Sequence, residues 1–126
     1  MRTFYFTLAL LLAVICGLFF YSGYLTDISD NMLAKIDRMY HAVETEDWAE
    51  TDLALSDVLS TWEKTSPRLA LFTDHSLLDE IILTASAASG YTKTREVPEL
   101  CAELETLRSL VSHIPKREKL SLYNIF

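Results

Sequence analysis

The chain opens with an unbroken apolar stretch and then changes to hydrophobic positions recurring every three or four residues. Phe4 to Tyr24 holds no charged residue. At ~1.5 Å rise per residue, a helix of that length matches the ~30 Å hydrocarbon core of a bilayer. A water-soluble helix this long carries a polar face, and this one has none. Tyr5 at one end, with Tyr21 and Tyr24 at the other, suits the interfacial belts where an amphipathic ring sits at headgroup level. The pattern predicts a transmembrane helix over residues 1–25 and a separate helical domain over 26–126.

From Asp27 onward every window reads as helix. Met32, Ile36, Met39, Tyr40 and Val43 form the first stripe, and this helix is expected to continue from the span. Asp47 with Glu50 has the spacing of a capping box, ahead of a second stripe of Trp48, Leu55, Val58, Leu59 and Trp62. Ser66-Pro67 reads as a cap and restart, which predicts a third helix from Pro67 to about Ser89 with Gly90 as its stop. Its apolar positions, Leu69, Leu71, Phe72, Leu78, Ile81, Ile82, Ala85 and Ala88, cover a wide face, so it is expected to be the central helix. Pro98 opens the last helix, with Leu100, Cys101, Leu104, Leu107, Val111 and Ile114 as its stripe and Pro115 as its end. The fold class expected is all-α: an N-terminal transmembrane helix, then a four-helix antiparallel bundle or stacked helical hairpins.

Charge sharpens this division. Of 11 Lys+Arg only Arg2 precedes residue 26, whereas all 18 Asp+Glu follow it. An acidic domain lacks the clustered cations that displace phosphate counterions, so no nucleic-acid partner is expected. Arg2 before the span and Asp27 and Asp30 after it predict a cytoplasmic N-terminus, with the domain extracytoplasmic at the cell membrane. A cleaved leader needs small residues at −1 and −3. Cutting after Gly23 puts Tyr21 at −3, and cutting after Ser22 puts Phe20 there. Ile15 before Cys16 likewise fails the lipoprotein pattern, so the span reads as an uncleaved signal anchor held in the lipid bilayer through Phe4–Tyr24. Its ladder of Ala9, Ala13 and Gly17 permits close helix approach and hence self-association.

Candidate chemistry is sparse. His75 and Asp79, four residues apart, share one helix face and offer two groups to a metal or a general base with its partner. A structural histidine explains the same pattern. His113 before Pro115 suits the negative end of a helix dipole. Glu44, Glu46, Asp47, Glu50 and Asp52 lack the glycine turn and ligand spacing of a calcium loop and read as a solvated face with caps. Trp48 and Trp62 read as core anchors, and Cys101 as a small buried hydrophobe. No nucleotide loop, nucleophile elbow, zinc-protease or CxxC motif occurs, so neither enzyme activity nor a cofactor is expected.

The apolar close of the chain is the strongest candidate surface. Leu120, Leu122, Tyr123, Asn124, Ile125 and Phe126 are expected to bind a partner or pack back onto the helices, because a free hydrophobic tail invites aggregation.

Taken together, the anchor, Trp48 and Trp62, the D-H-S-L-L-D-E run from Asp74 to Glu80 and the ending H-I-P-K-R-E-K-L-S-L-Y-N-I-F from His113 resemble a small bacterial membrane-protein family, domain of unknown function 4363. The resemblance implies a sporulation-associated origin and no established activity. It also implies a multi-pass membrane partner (domain of unknown function 421) and added weight on His75, Asn124 and the tail. The function expected is a non-enzymatic single-pass accessory protein of another integral membrane protein, the alternative being a metal- or ligand-binding sensor built on His75 and Asp79.

Overall fold

The apolar stretch and the first amphipathic stripe form one unbroken helix, α1, from Arg2 to Glu44. It is followed by α2 (Trp48–Leu69), α3 (His75–Thr94) and α4 (Val97–Ile125). This computed structural model describes residues 1–71 and 73–125, and the side chains of these through Pro115. Among the described residues there is no strand. At ~1.5 Å per residue, the 43 residues of α1 extend for roughly 65 Å. Residues 1–17 of the chain are exposed throughout, and the fully buried positions of α1 begin at Leu25.

The second half of α1 buries Leu25, Ser29, Met32, Ile36, Met39 and Val43, spaced alternately by four and three. Leu100, Leu104, Leu107, Val111 and Ile114 of α4 repeat the same spacing. A four-three alternation keeps one seam facing a neighbour over several turns, as in coiled coils. The two helices run antiparallel along this seam, with Tyr40 opposite Glu105 and Ser29 opposite Val111. α2 packs on the other flank of α1 through Ala54, Val58 and Trp62, and α3 lies against α4 through Leu77, Ile81 and Ala88. Among the neighbouring pairs, α2 and α3 touch least, so the bundle closes weakly along that edge. The central pair is therefore α1 and α4. α3, expected at the centre, is peripheral and leaves Ile82 and Leu83 exposed.

Helix ends differ from the expected punctuation for identifiable reasons. Pro67 lies inside α2. Its missing amide takes the helical donor from the carbonyl of Glu63, which an exposed turn tolerates because both residues face solvent. The break comes after Leu69, and α3 starts at His75, where the Asp74 carboxylate accepts the Ser76 amide at 2.9 Å. Gly90 is interior to α3. The stop is Arg95, at φ 56°, with the Glu96 amide on the Tyr91 carbonyl and the Arg95 amide on Thr92. α1 ends the same way at Glu46, φ 55°, with Asp47 donating to Ala42 and Glu46 to Val43. Both are Schellman closures built without glycine.

α4 runs through Pro115 instead of ending there. Proline deprives the Val111 carbonyl of its helical donor. The Ser29 hydroxyl donates to that carbonyl from α1 at 3.0 Å, in a buried position. The expected capping box is half made: Asp47 accepts the Glu50 amide, but the Glu50 carboxylate is drawn to Arg38 at 2.6 Å.

Candidate functional site

Three places gather chemistry-bearing or uncovered side chains. The first is a shallow groove of about 290 Å³ between α1 and α4. Asp37, Tyr40, His41 and Glu44 line it from one helix, and Glu105 and Arg108 from the other. The antiparallel seam sets these residues on its solvent flank. The Tyr40 hydroxyl donates to Glu105 at 3.3 Å, and Arg108 pairs with Asp37 at 3.5 Å. Burial, and then the Glu105 carboxylate, hold the Tyr40 phenol above its usual range. Burial, followed by Glu44, also pushes up the thiol of nearby Cys101. A thiol held in its protonated form is a poor nucleophile. The groove itself offers hydrogen-bond donors and carboxylates. Tyr40 was legible as a core position, but its hydroxyl partner depends on the facing helix.

His75 and Asp79 form the second place. Both are exposed on the first turns of α3, so His75 stands at a helix start and not mid-helix. His41 lies toward the far end of the bundle, in the last turn of α1. His113 is exposed inside α4, well before that helix ends at Ile125. Among the described residues no three His, Cys, Asp or Glu side chains come together as a metal site. Trp62 is buried, and Trp48 is half-buried under the Arg95 guanidinium, 5.5 Å from its ring centre.

The third place is the first half of α1. Its most apolar 18-residue window has a mean hydropathy of 2.3, and none of that window is buried by the rest of the chain. Phe4, Phe6, Leu10, Leu11, Phe19 and Phe20 all stand more than half exposed. Left in water, each such side chain forgoes roughly 1.5–3 kcal/mol of burial. By length and composition this helix suits a bilayer. At its upper end the Arg68 guanidinium of α2 donates to the Tyr24 hydroxyl at 3.3 Å, which sets the end of α2 level with Tyr24, just before the first acidic residue, Asp27.

The tail residues Leu120, Leu122, Tyr123, Asn124, Ile125 and Phe126 have side chains outside the described residues. The backbone of α4 is helical to Ile125.

A family model described as Domain of unknown function (DUF4363) matches residues 19–125. No curated protein and no solved structure matches the chain.

Proposed function

The chain belongs to the DUF4363 family, and on that footing we propose that it is a non-enzymatic, single-pass membrane protein that holds a helical bundle against the bilayer as an accessory subunit of another integral membrane protein. The observation that carries this reading is the continuity of α1. One helix supplies an uncovered apolar half long enough to cross a bilayer and then half of the central seam of the bundle. A soluble bundle has no use for the first half, and a loosely tethered domain has no need of an unbroken helix into its core. Rigid coupling fixes the bundle's height and rotation relative to the membrane, which suits a subunit that must meet a neighbour in one orientation.

Further features support a binding role over a catalytic one. The groove between α1 and α4 presents a hydrogen-bonded phenol and paired charges. Leu53 on α2 and Ile82 and Leu83 on α3 are apolar side chains of the bundle left facing outward.

The test is carbonate extraction of membranes carrying the full chain, followed by photocrosslinking from Leu83 and capture under denaturing conditions. The chain should stay in the pellet and crosslink to a discrete membrane protein. Release by carbonate would overturn the membrane assignment. Retention with crosslinks only to lipid or to itself would overturn the accessory role.

A further inference from the structure

The seam between α1 and α4 does not stop where the bundle core stops. Counting back along α1 in the same four-three alternation from Ser29 and Leu25 reaches Ser22 and Leu18. These two are half-buried, whereas Phe19, Phe20 and Gly23 beside them are exposed. The side of α1 that faces α4 thus stays less exposed than its flanks into the uncharged stretch. α4 is long enough to reach it, since its backbone is helical to Ile125, past Pro115.

The antiparallel register gives the depth. Ser29 lies opposite Val111. Both helices rise ~1.5 Å per residue, so five residues further along α4 come level with Tyr24, three residues before Asp27, the first charge after the span. That position is Lys116. The sequence there is Lys116-Arg117-Glu118-Lys119, followed by Leu-Ser-Leu-Tyr-Asn-Ile over residues 120–125. Three of the chain's 11 basic residues thus fall within four positions, although the chain as a whole carries a formal charge of −7. They fall at the height where the apolar run of α1 begins. The six residues after them would extend the helix by roughly 9 Å alongside that run. The connection between α2 and α3 sits at the same height, as the Arg68–Tyr24 bond shows, and exposes Leu71 by 76%.

Basic residues followed at once by apolar ones, at the level where a membrane helix leaves the hydrocarbon, match the layering of an anionic lipid surface. We propose that the end of α4 is a second membrane contact: residues 116–119 meet anionic headgroups, and residues 120–125 enter the upper acyl region beside α1. This rests on the membrane-spanning reading of α1. The bundle then stands on two points, the span and the end of α4, which fixes its tilt as well as its height.

Single-cysteine probes on the full chain test this in vesicles of phosphatidylglycerol and phosphatidylcholine. With Cys16 and Cys101 replaced by alanine, and helicity and melting checked against the parent, an environment-sensitive fluorophore is attached through Leu12→Cys, Leu122→Cys or Ala102→Cys. Probes in the span and in the tail should both be blue-shifted and quenched by lipid-borne nitroxide, while the probe on the bundle stays in water. Each basic residue near an anionic surface is worth about fivefold in partitioning. The combined K116E, R117E and K119E variant should therefore lower tail quenching strongly and leave span quenching unchanged. A shielded span probe with a solvent-exposed tail probe overturns this inference and leaves the spanning reading intact. A tail probe that is blue-shifted but unquenched by lipid means that protein covers the tail, and also overturns it. A solvent-exposed span probe overturns the spanning reading itself.

Discussion

Ser29 on α1 and Val111 on α4 are joined by a buried hydrogen bond of 3.0 Å, made to the one carbonyl in that turn that Pro115 leaves without an amide. A buried carbonyl without a donor costs about 1–3 kcal/mol. Ser29→Ala should therefore destabilise the bundle by about that amount in urea denaturation. Pro115→Ala returns an amide to the turn, so the double variant should recover much of the loss. Strictly additive effects in that cycle would show that the serine and the proline are energetically unrelated.

Glycine and non-glycine residues stand in exchanged places at two helix ends. Glu46 holds a left-handed turn at φ 55°, where a side chain costs ~1 kcal/mol. Gly90 sits inside α3, where an added Cβ would meet nothing within 4 Å. Glu46→Gly and Gly90→Ala should each raise stability by about 0.5–1 kcal/mol, seen as a higher Tm. A fall in Tm for Gly90→Ala would mean that α3 is not helical at that point.

These two sites also show why the fold was legible while its punctuation was not. The periodic positions of α1 and α4 identify buried faces directly, because burial imposes the spacing. Helix ends are decided by what lies across from them. Pro67 is tolerated because its turn faces water, and Pro115 because Ser29 stands opposite. No local signal carries either fact. The wide apolar face expected for the third helix fails for a related reason: its Leu71 and Ile82 are exposed, so hydrophobicity alone does not report packing. His75 and Asp79 share the first turns of α3. A third ligand would have to come from another element, and the sequence does not show which elements meet.

Alkaline pH should weaken the bundle. Burial and the carboxylates Glu44 and Glu105 hold the Cys101 thiol and the Tyr40 phenol above their ordinary values of 9.0 and 10.0. Both groups keep their protons more tightly when folded than when unfolded. Their contribution is whole below pH 9.0 and is lost as pH rises through the raised folded values. Denaturation midpoints should fall above that range, and Cys101→Ala should remove the thiol's share of the fall. Cys101 should also react slowly with disulfide reagents at pH 8 until the chain is unfolded. Rapid labelling of the folded protein would contradict a shielded thiol.

The central seam should dominate stability. Ile36 is 1% exposed and packs among the side chains that join α1 to its neighbours. Ile36→Ala should cost about 2–5 kcal/mol through lost burial and the cavity left behind. Breaking the ion pairs of Arg38 with Glu50 and Asp57, which are at least a third exposed, should cost under about 1 kcal/mol. A larger effect from Arg38→Ala than from Ile36→Ala, measured by the same denaturation curves, would place the binding energy between helices on the surface instead.

The first half of α1 should contribute nothing to this balance. Every residue from Met1 to Gly17 is exposed, and the seam begins at Leu18. Removing residues 1–17 should leave the unfolding free energy in detergent within about 0.5 kcal/mol of the full chain, as expected for changes away from packed features. Extending the deletion through Leu25 removes a side chain that is 1% exposed and cuts into the core. That longer deletion should cost about 2–5 kcal/mol, the range for losing a buried leucine. Two deletions that differ by only eight residues thus separate the part of the helix kept for the membrane from the part kept for the bundle. Equal losses from both would mean that the apolar half supports the fold itself, and the division of labour along α1 would fail.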